Sequence, residues 1–348
     1  MSSQGQTEAG STTRQQAIVW LRPEQADLGR RLIDALDLDV VAAGSGGTSR
    51  NRPGEMFGCA MSDDFRRTLS EAPDAALVLL SIGEDERDAL THPSSLARGV
   101  MESTSPILTI EPIAGSLREM RRWSDESPAF FARVGRSPSL LASPGGMSAI
   151  ESLESFGRVR SIDLACRAGA REVSLSALLL DAMEFVSATL GEPESIGASM
   201  SGVDAISGLR ISAGDSFLSM AGDLTAHLRY SDDRAAAISL SDCAGAWSRG
   251  VTLLGPGGCI LFDDERFEWI DPSGSTLDDS FSPIAEPPMY EALAAQQAQR
   301  FFGKQGAGAP TPTVRVLEAY AFVEAAHLSA RTGQPESPAT IRRMAGVA

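Results

Sequence analysis

Over its first 110 residues the chain alternates short apolar runs with amphipathic helical patterns, and this alternation restricts the possible fold most tightly. AIVWL (residues 17–21) reads as a strand, EQADLGRRLIDAL (24–36) as a helix with one apolar face, and DVVAAGS (39–45) as a second strand. In SDDFRRTLSEAPDAALVLLSI, Ser62 is placed to cap a helix, and residues 75–82 form the continuous apolar run of a strand buried on both faces. HPSSLARGVMES (92–103) reads as a further helix and PILTI (106–110) as a further strand. Strands that alternate with helices predict a doubly wound parallel sheet of the α/β class.

Beyond Arg122 the pattern changes. RVRSIDLACRA, DLTAHLRYSD, RAAAISLSD and GVTLLGPGGCILFDDERFEWIDPSG follow one another as strands, with hairpin signals at SDD and GPGG. Three helices, over 173–191, 289–303 and 311–333, each end on glycine, a common helix stop. This half predicts an α+β unit whose large open antiparallel sheet buries one face on helices and leaves the other for water or a partner.

Composition narrows the function classes. The chain has 348 residues and a formal charge of −16, so phosphate backbones and anionic membranes repel it, and neither nucleic acid nor a membrane is expected as a partner. No apolar run approaches the roughly 20 residues that span a bilayer, and MSSQGQTEAGSTTRQQ reads as a disordered tail over residues 1–16. Cys59, Cys166, Cys243 and Cys259 are scattered without metal-ligand spacing and read as reduced thiols in a cytoplasmic protein.

LGEP (190–193), LLGPGGCILFDD (253–264) and RVLEAYAFVEAAHLSARTGQP near the C-terminus, following a Rossmann-like half and a proline-marked EP before a helix, resemble the Gfo/Idh/MocA family of glucose-fructose oxidoreductases and inositol dehydrogenases. The resemblance runs from residue 17 to about 335. It implies a Rossmann-like domain over 17–124 and a C-terminal α+β domain over 125–348. It also implies a nicotinamide dinucleotide on a glycine-rich turn after the first strand, an acidic residue closing the second strand, and a catalytic lysine and histidine.

The chain departs from each of these implied features. WLRPEQADLG keeps only Gly29 of the fingerprint glycines, and Pro23, Glu24 and Asp27 make the turn poor in donors and anionic. The second strand closes on Gly44 and Ser45, and Arg50 and Arg52 in the following loop read as solvated. In SPILTIEPIAGSLREM, Glu111 precedes Pro112 where the family resemblance implies a lysine, and the only lysine in the chain is Lys304. Counting back from LGEP puts Asp181 at the implied histidine, Glu184 at the implied aspartate and Ala177 at another. His92, His227 and His327 are isolated in sequence and read as structural.

The sequence therefore predicts a non-redox pseudo-enzyme, a binding or regulatory subunit with no cofactor, taking a small-molecule ligand. It is expected to form a homo-oligomer or to pair with an active relative through the open sheet. The alternative is an NAD or NADP dependent oxidoreductase acting on a sugar or polyol, with a remodelled cofactor site and a carboxylate base. Glu111, Asp181 and Glu184 are the candidate cleft carboxylates. As a cluster they could serve a divalent metal or a cationic ligand. The competing reading pairs Glu111 with Arg118, Arg121 or Arg122 and leaves Asp181 capping or facing water.

Overall fold

The computed structural model describes residues 14–45, 57–91, 104–126, 133–169, 172–202, 216–284, 289–303 and 313–347. Among these, β1 (Gln16–Trp20), β2 (Asp39–Gly44), β3 (Ala60–Ser62), β4 (Ala76–Leu79), β5 (Ile107–Thr109) and β6 (Val134–Arg136) form one parallel sheet. Their order is β3-β2-β1-β4-β5-β6, the doubly wound arrangement. Ile18 and Val19 of β1 and Ala76 and Val78 of β4 are fully buried, as central strands covered on both faces must be.

The expected helix over 24–36 forms in two parts, a short 3-10 turn (Pro23–Gln25) and α1 (Ala26–Leu36). Proline suits the first position of the turn because its missing N–H would be unpaired there in any case. α2 (Phe65–Glu71) starts later than expected, because Ser62 belongs to β3. Its cap is Asp64, whose Oδ1 accepts from the Arg67 N–H at 3.0 Å. α3 (Glu84–Thr91) follows β4 and α4 (Leu117–Glu126) follows β5. The helix expected over 92–103 lies outside the described residues.

The second sheet contains β7 (Ser161–Arg167), β8 (Ser195–Ser201), β9 (Asp223–Arg229), β10 (Ala235–Ser241), β11 (Ser248–Gly255), β12 (Gly258–Phe262), β13 (Arg266–Ile270) and β14 (Thr276–Phe281), in the order β14-β13-β12-β11-β7-β10-β9-β8. It is mostly antiparallel, and both expected hairpins form, β9 to β10 and β11 to β12. At the second, Gly258 has φ +103°, and a Cβ there would collide with the backbone of Ile270 and Asp271. At the centre, however, β7 and β10 run parallel. They are not hairpin partners, since a helix and two strands intervene in the chain, and such a crossover permits parallel pairing.

α5 (Pro144–Phe156), α6 (Leu175–Leu190) and α8 (Thr313–Thr332) pack on one face of this sheet, and α9 (Pro338–Met344) packs on α8. β7 alternates accordingly, with Ile162, Leu164 and Cys166 buried on the helix side and Asp163 exposed on the other. α7 (Met289–Gly303) returns to the first sheet and packs on α1, where Gln299 Nε2 donates to the Ala35 carbonyl at 2.7 Å and Arg31 pairs with Glu291 at 3.2 Å. That return buries Tyr290, in the first turn of α7, with its ring 4.9 Å from that of Trp247.

Candidate functional site

Gln25 ties up backbone groups of the turn after β1. The Arg22 N–H donates to Gln25 Oε1 at 3.0 Å, the Gln25 N–H donates to the Arg22 carbonyl at 2.9 Å, and Gln25 Nε2 donates to the Leu80 carbonyl at 2.9 Å. Gln25 is thereby buried, spanning from the turn to the end of β4. Pro23 contributes no donor. Just before the turn, Trp20 is buried at the end of β1, packs at a tilt 4.8 Å from the Phe65 ring, and donates from Nε1 to Glu86 at 3.2 Å. Its ring lies across Gly44, so that a Cβ at Gly44 would run into it.

Glu111 follows β5 and is buried against the N-terminus of α6. Ser174, the cap of that helix, accepts from the Ala177 N–H at 3.1 Å and donates its hydroxyl hydrogen to Glu111 Oε2. The other oxygen, Oε1, lies 3.7 Å from Arg22 Nη2. Burial pushes the Glu111 carboxyl above the ordinary carboxylate range, against the opposing pull of Ser174 and Arg22. The ion-pair partner is thus Arg22, from the turn after β1, and not an arginine of α4. On α4, Arg121 instead pairs with Asp125 at 3.4 Å.

Asp181 and Glu184 both point inward from α6 and converge on Arg136 at the end of β6. Asp181 is the more committed of the two. It accepts from Arg249 Nη1 at 2.7 Å, from Arg136 Nη2 at 3.3 Å and from the Leu140 N–H at 2.9 Å. Arg249 also holds Asp264, which accepts from Trp247 Nε1 at 2.8 Å. Burial raises the Glu184 carboxyl, and Arg136 opposes that rise. Both acids therefore belong to a buried ion network, whereas Glu111 is engaged by Ser174 and Arg22.

Among the described residues no group of three or more His, Cys, Asp or Glu side chains is placed to hold a metal ion. Nor is any helix among them long and apolar enough to cross a membrane. His227 is exposed on β9 and His327 is buried on α8. Arg50, Arg52, His92 and Lys304 lie outside the described residues.

No family model matches the chain, and no curated protein matches it in sequence. Solved structures do match. An oxidoreductase from Agrobacterium radiobacter in complex with NAD+, L-tartaric acid and magnesium is similar at TM-score 0.66 and 15% identity, over 94% of this chain and 100% of that one. A myo-inositol dehydrogenase from Corynebacterium glutamicum is similar at TM-score 0.62 and 14% identity, over 93% and 99%. The fold is that of the Gfo/Idh/MocA oxidoreductases. An NAD binding oxidoreductase from Klebsiella pneumoniae is similar as well, at TM-score 0.64 and 11% identity over 93% and 99%.

A Gfo/Idh/MocA fold implies a dinucleotide at the ends of β1 and β2, and the residues here do not fit one. A pyrophosphate needs free backbone N–H groups at the turn. Here one position is proline and the N–H groups of Arg22 and Gln25 are both spent. A ribose needs an acceptor at the end of β2, and the Trp20 ring leaves position 44 no room for any side chain.

Sequence reasoning missed Arg22, Arg136, Ser174 and Arg249 as parts of this region. Ser174 carried a signal, since a serine just before an apolar helical run is a cap. The arginines carried none, because pairing across the chain leaves no local pattern.

Proposed function

We propose that the chain is a non-redox protein on an oxidoreductase fold, a binding or regulatory subunit whose ligand enters beside Arg22 and Glu111. The observation carrying this reading is the turn after β1, where the Gln25 side chain occupies the Arg22 N–H that a pyrophosphate would use and Pro23 offers none. Glu111, in the place implied for a lysine, adds a buried carboxyl held by Ser174. The protein works in the cytoplasm and binds neither nucleic acid nor membrane, in keeping with a formal charge of −16. It associates with itself, or with an active relative, through the open face of its second sheet.

The second reading, a NAD or NADP dependent oxidoreductase acting on a sugar or polyol, is favoured by the neighbours. One of them is a levoglucosan dehydrogenase in complex with NADH and levoglucosan, at TM-score 0.65 and 11% identity. Titration with NADH and NADPH, followed by nicotinamide fluorescence, separates the two. No saturation is expected up to about 1 mM of either cofactor. A micromolar dissociation constant would establish the second reading.

A further inference from the structure

Buried polar groups are nearly always hydrogen-bonded, so several that are not, gathered in one place, mark where a ligand supplies the partners. Arg22 Nε, Glu111 Oε1 and Tyr290 Oη are each buried without a hydrogen bond. They come from the turn after β1, the segment after β5 and the first turn of α7. Arg22 Nη2 stands 3.7 Å from Glu111 Oε1, near enough to attract and too far to hydrogen-bond. Tyr290 is 1% exposed, and both Glu111 and Arg22 act electrostatically on its phenol. Burial, with Glu111 adding to it, keeps that phenol protonated and therefore able to donate. The Trp247 ring packs 4.9 Å from the Tyr290 ring.

The three atoms differ in kind. Glu111 Oε1 accepts, Arg22 Nε donates, and the Tyr290 hydroxyl donates. Glu111 cannot swing away to find another partner, because Ser174 holds its second oxygen.

A ligand entering between Arg22 and Glu111 separates a half-exposed guanidinium from a buried carboxylate, and the attraction lost is costly to the buried Glu111. An anion would relieve Arg22 and leave Glu111 facing a like charge. A cation would meet Arg22 and also Arg87, whose charge acts on Glu111 as well. A neutral polyol would make hydrogen bonds without replacing the attraction it interrupts. Only a ligand carrying both charges on neighbouring atoms restores two ion pairs for the one it opens. We infer that these three groups bind a small zwitterion, a free α-amino acid, whose ammonium group donates to Glu111 Oε1 and whose carboxylate accepts from Arg22 and Tyr290.

This assignment rests on the reading that the turn after β1 carries no dinucleotide, so the same preparation is titrated with NADH in parallel. The test is calorimetric titration of the full chain at pH 7 with each of the common α-amino acids, and with acetate and myo-inositol as probes lacking the ammonium group or both charges. At least one amino acid is expected to bind with a dissociation constant below about 1 mM, and acetate and myo-inositol at least tenfold more weakly. Arg22→Gln and Glu111→Gln should each weaken that binding by about tenfold or more, and Tyr290→Phe by several-fold. Arg22 is half-exposed, so R22Q decides the matter if E111Q fails to fold. Absence of binding by every amino acid overturns the assignment. Binding that R22Q and Y290F leave unchanged, or myo-inositol binding equally well, overturns it too. Tight NADH binding defeats the underlying reading instead, and the two failures are told apart in one set of titrations.

Discussion

Glu111 keeps its carboxyl in a setting that disfavours the charge, and this ties stability to pH. Its folded value lies above the ordinary value near 4.5, with burial as the main cause. Such a group adds stability that is fully present below its unfolded value and is lost as pH rises through its folded value. The melting temperature of Glu111→Gln should therefore fall less than that of the unaltered protein between pH 4.5 and the folded value, and thermal scans over pH 4 to 8 check it. Identical pH profiles for the two proteins would contradict the burial of this group. Glu111 itself was legible in the sequence because Pro112 marks its place beside a short apolar run. Arg22 gave no sign of its pairing, since its distance from Glu111 is a property of the fold.

Among the elements, α6 is held by charge to both sheets at once. Arg136 at the end of β6 reaches Asp181 and Glu184, and Arg249 on β11 reaches Asp181 and Asp264. Arg249 is fully buried, and its single positive charge is shared by Asp181 and Asp264, so each acid relies on it for compensation. Removing one partner of a buried pair strands the others without solvent, a loss of about 3–5 kcal/mol. Arg249→Met should lower the urea midpoint accordingly, and the triple change R249M with Asp181→Asn and Asp264→Asn should recover part of it. A loss below about 1 kcal/mol would mean that the network is better hydrated than its burial implies. Periodicity revealed α6 and β11 as elements, but it was silent on which charged residues would meet between them.

For the molecule as a whole, the open face of the second sheet sets the main expectation. Leu254, Leu261 and Phe281 share this face and are 42%, 37% and 57% exposed. They lie among Asp163, Thr252, Glu268 and Asp279 on that face, and a mixed surface with exposed apolar side chains is where the proposed association would form. Light scattering at tens of micromolar should report a dimer or larger even oligomer, burying more than about 1,200 Å² in total. Leu261→Lys should shift it toward monomer without unfolding it, and a monomer in the unaltered protein would remove the expectation.

The alternation of strand and helix, the two hairpins, the glycine stops and the missing fingerprint glycines are local properties, and residues 1–348 carried them in the open. Hydrophobic period and turn chemistry act between near neighbours, so they can be read from a string. Strand partners are chosen differently. The parallel pairing of β7 with β10 and the addition of β6 to the first sheet depend on which surfaces remain uncovered once the helices have packed. The charged contacts are decided later still. Gln25 fills the turn, Trp20 covers Gly44, and Arg22 rather than an arginine of α4 faces Glu111, because burial brings together residues that the chain keeps far apart, and buried charges then take the partners that geometry leaves within reach.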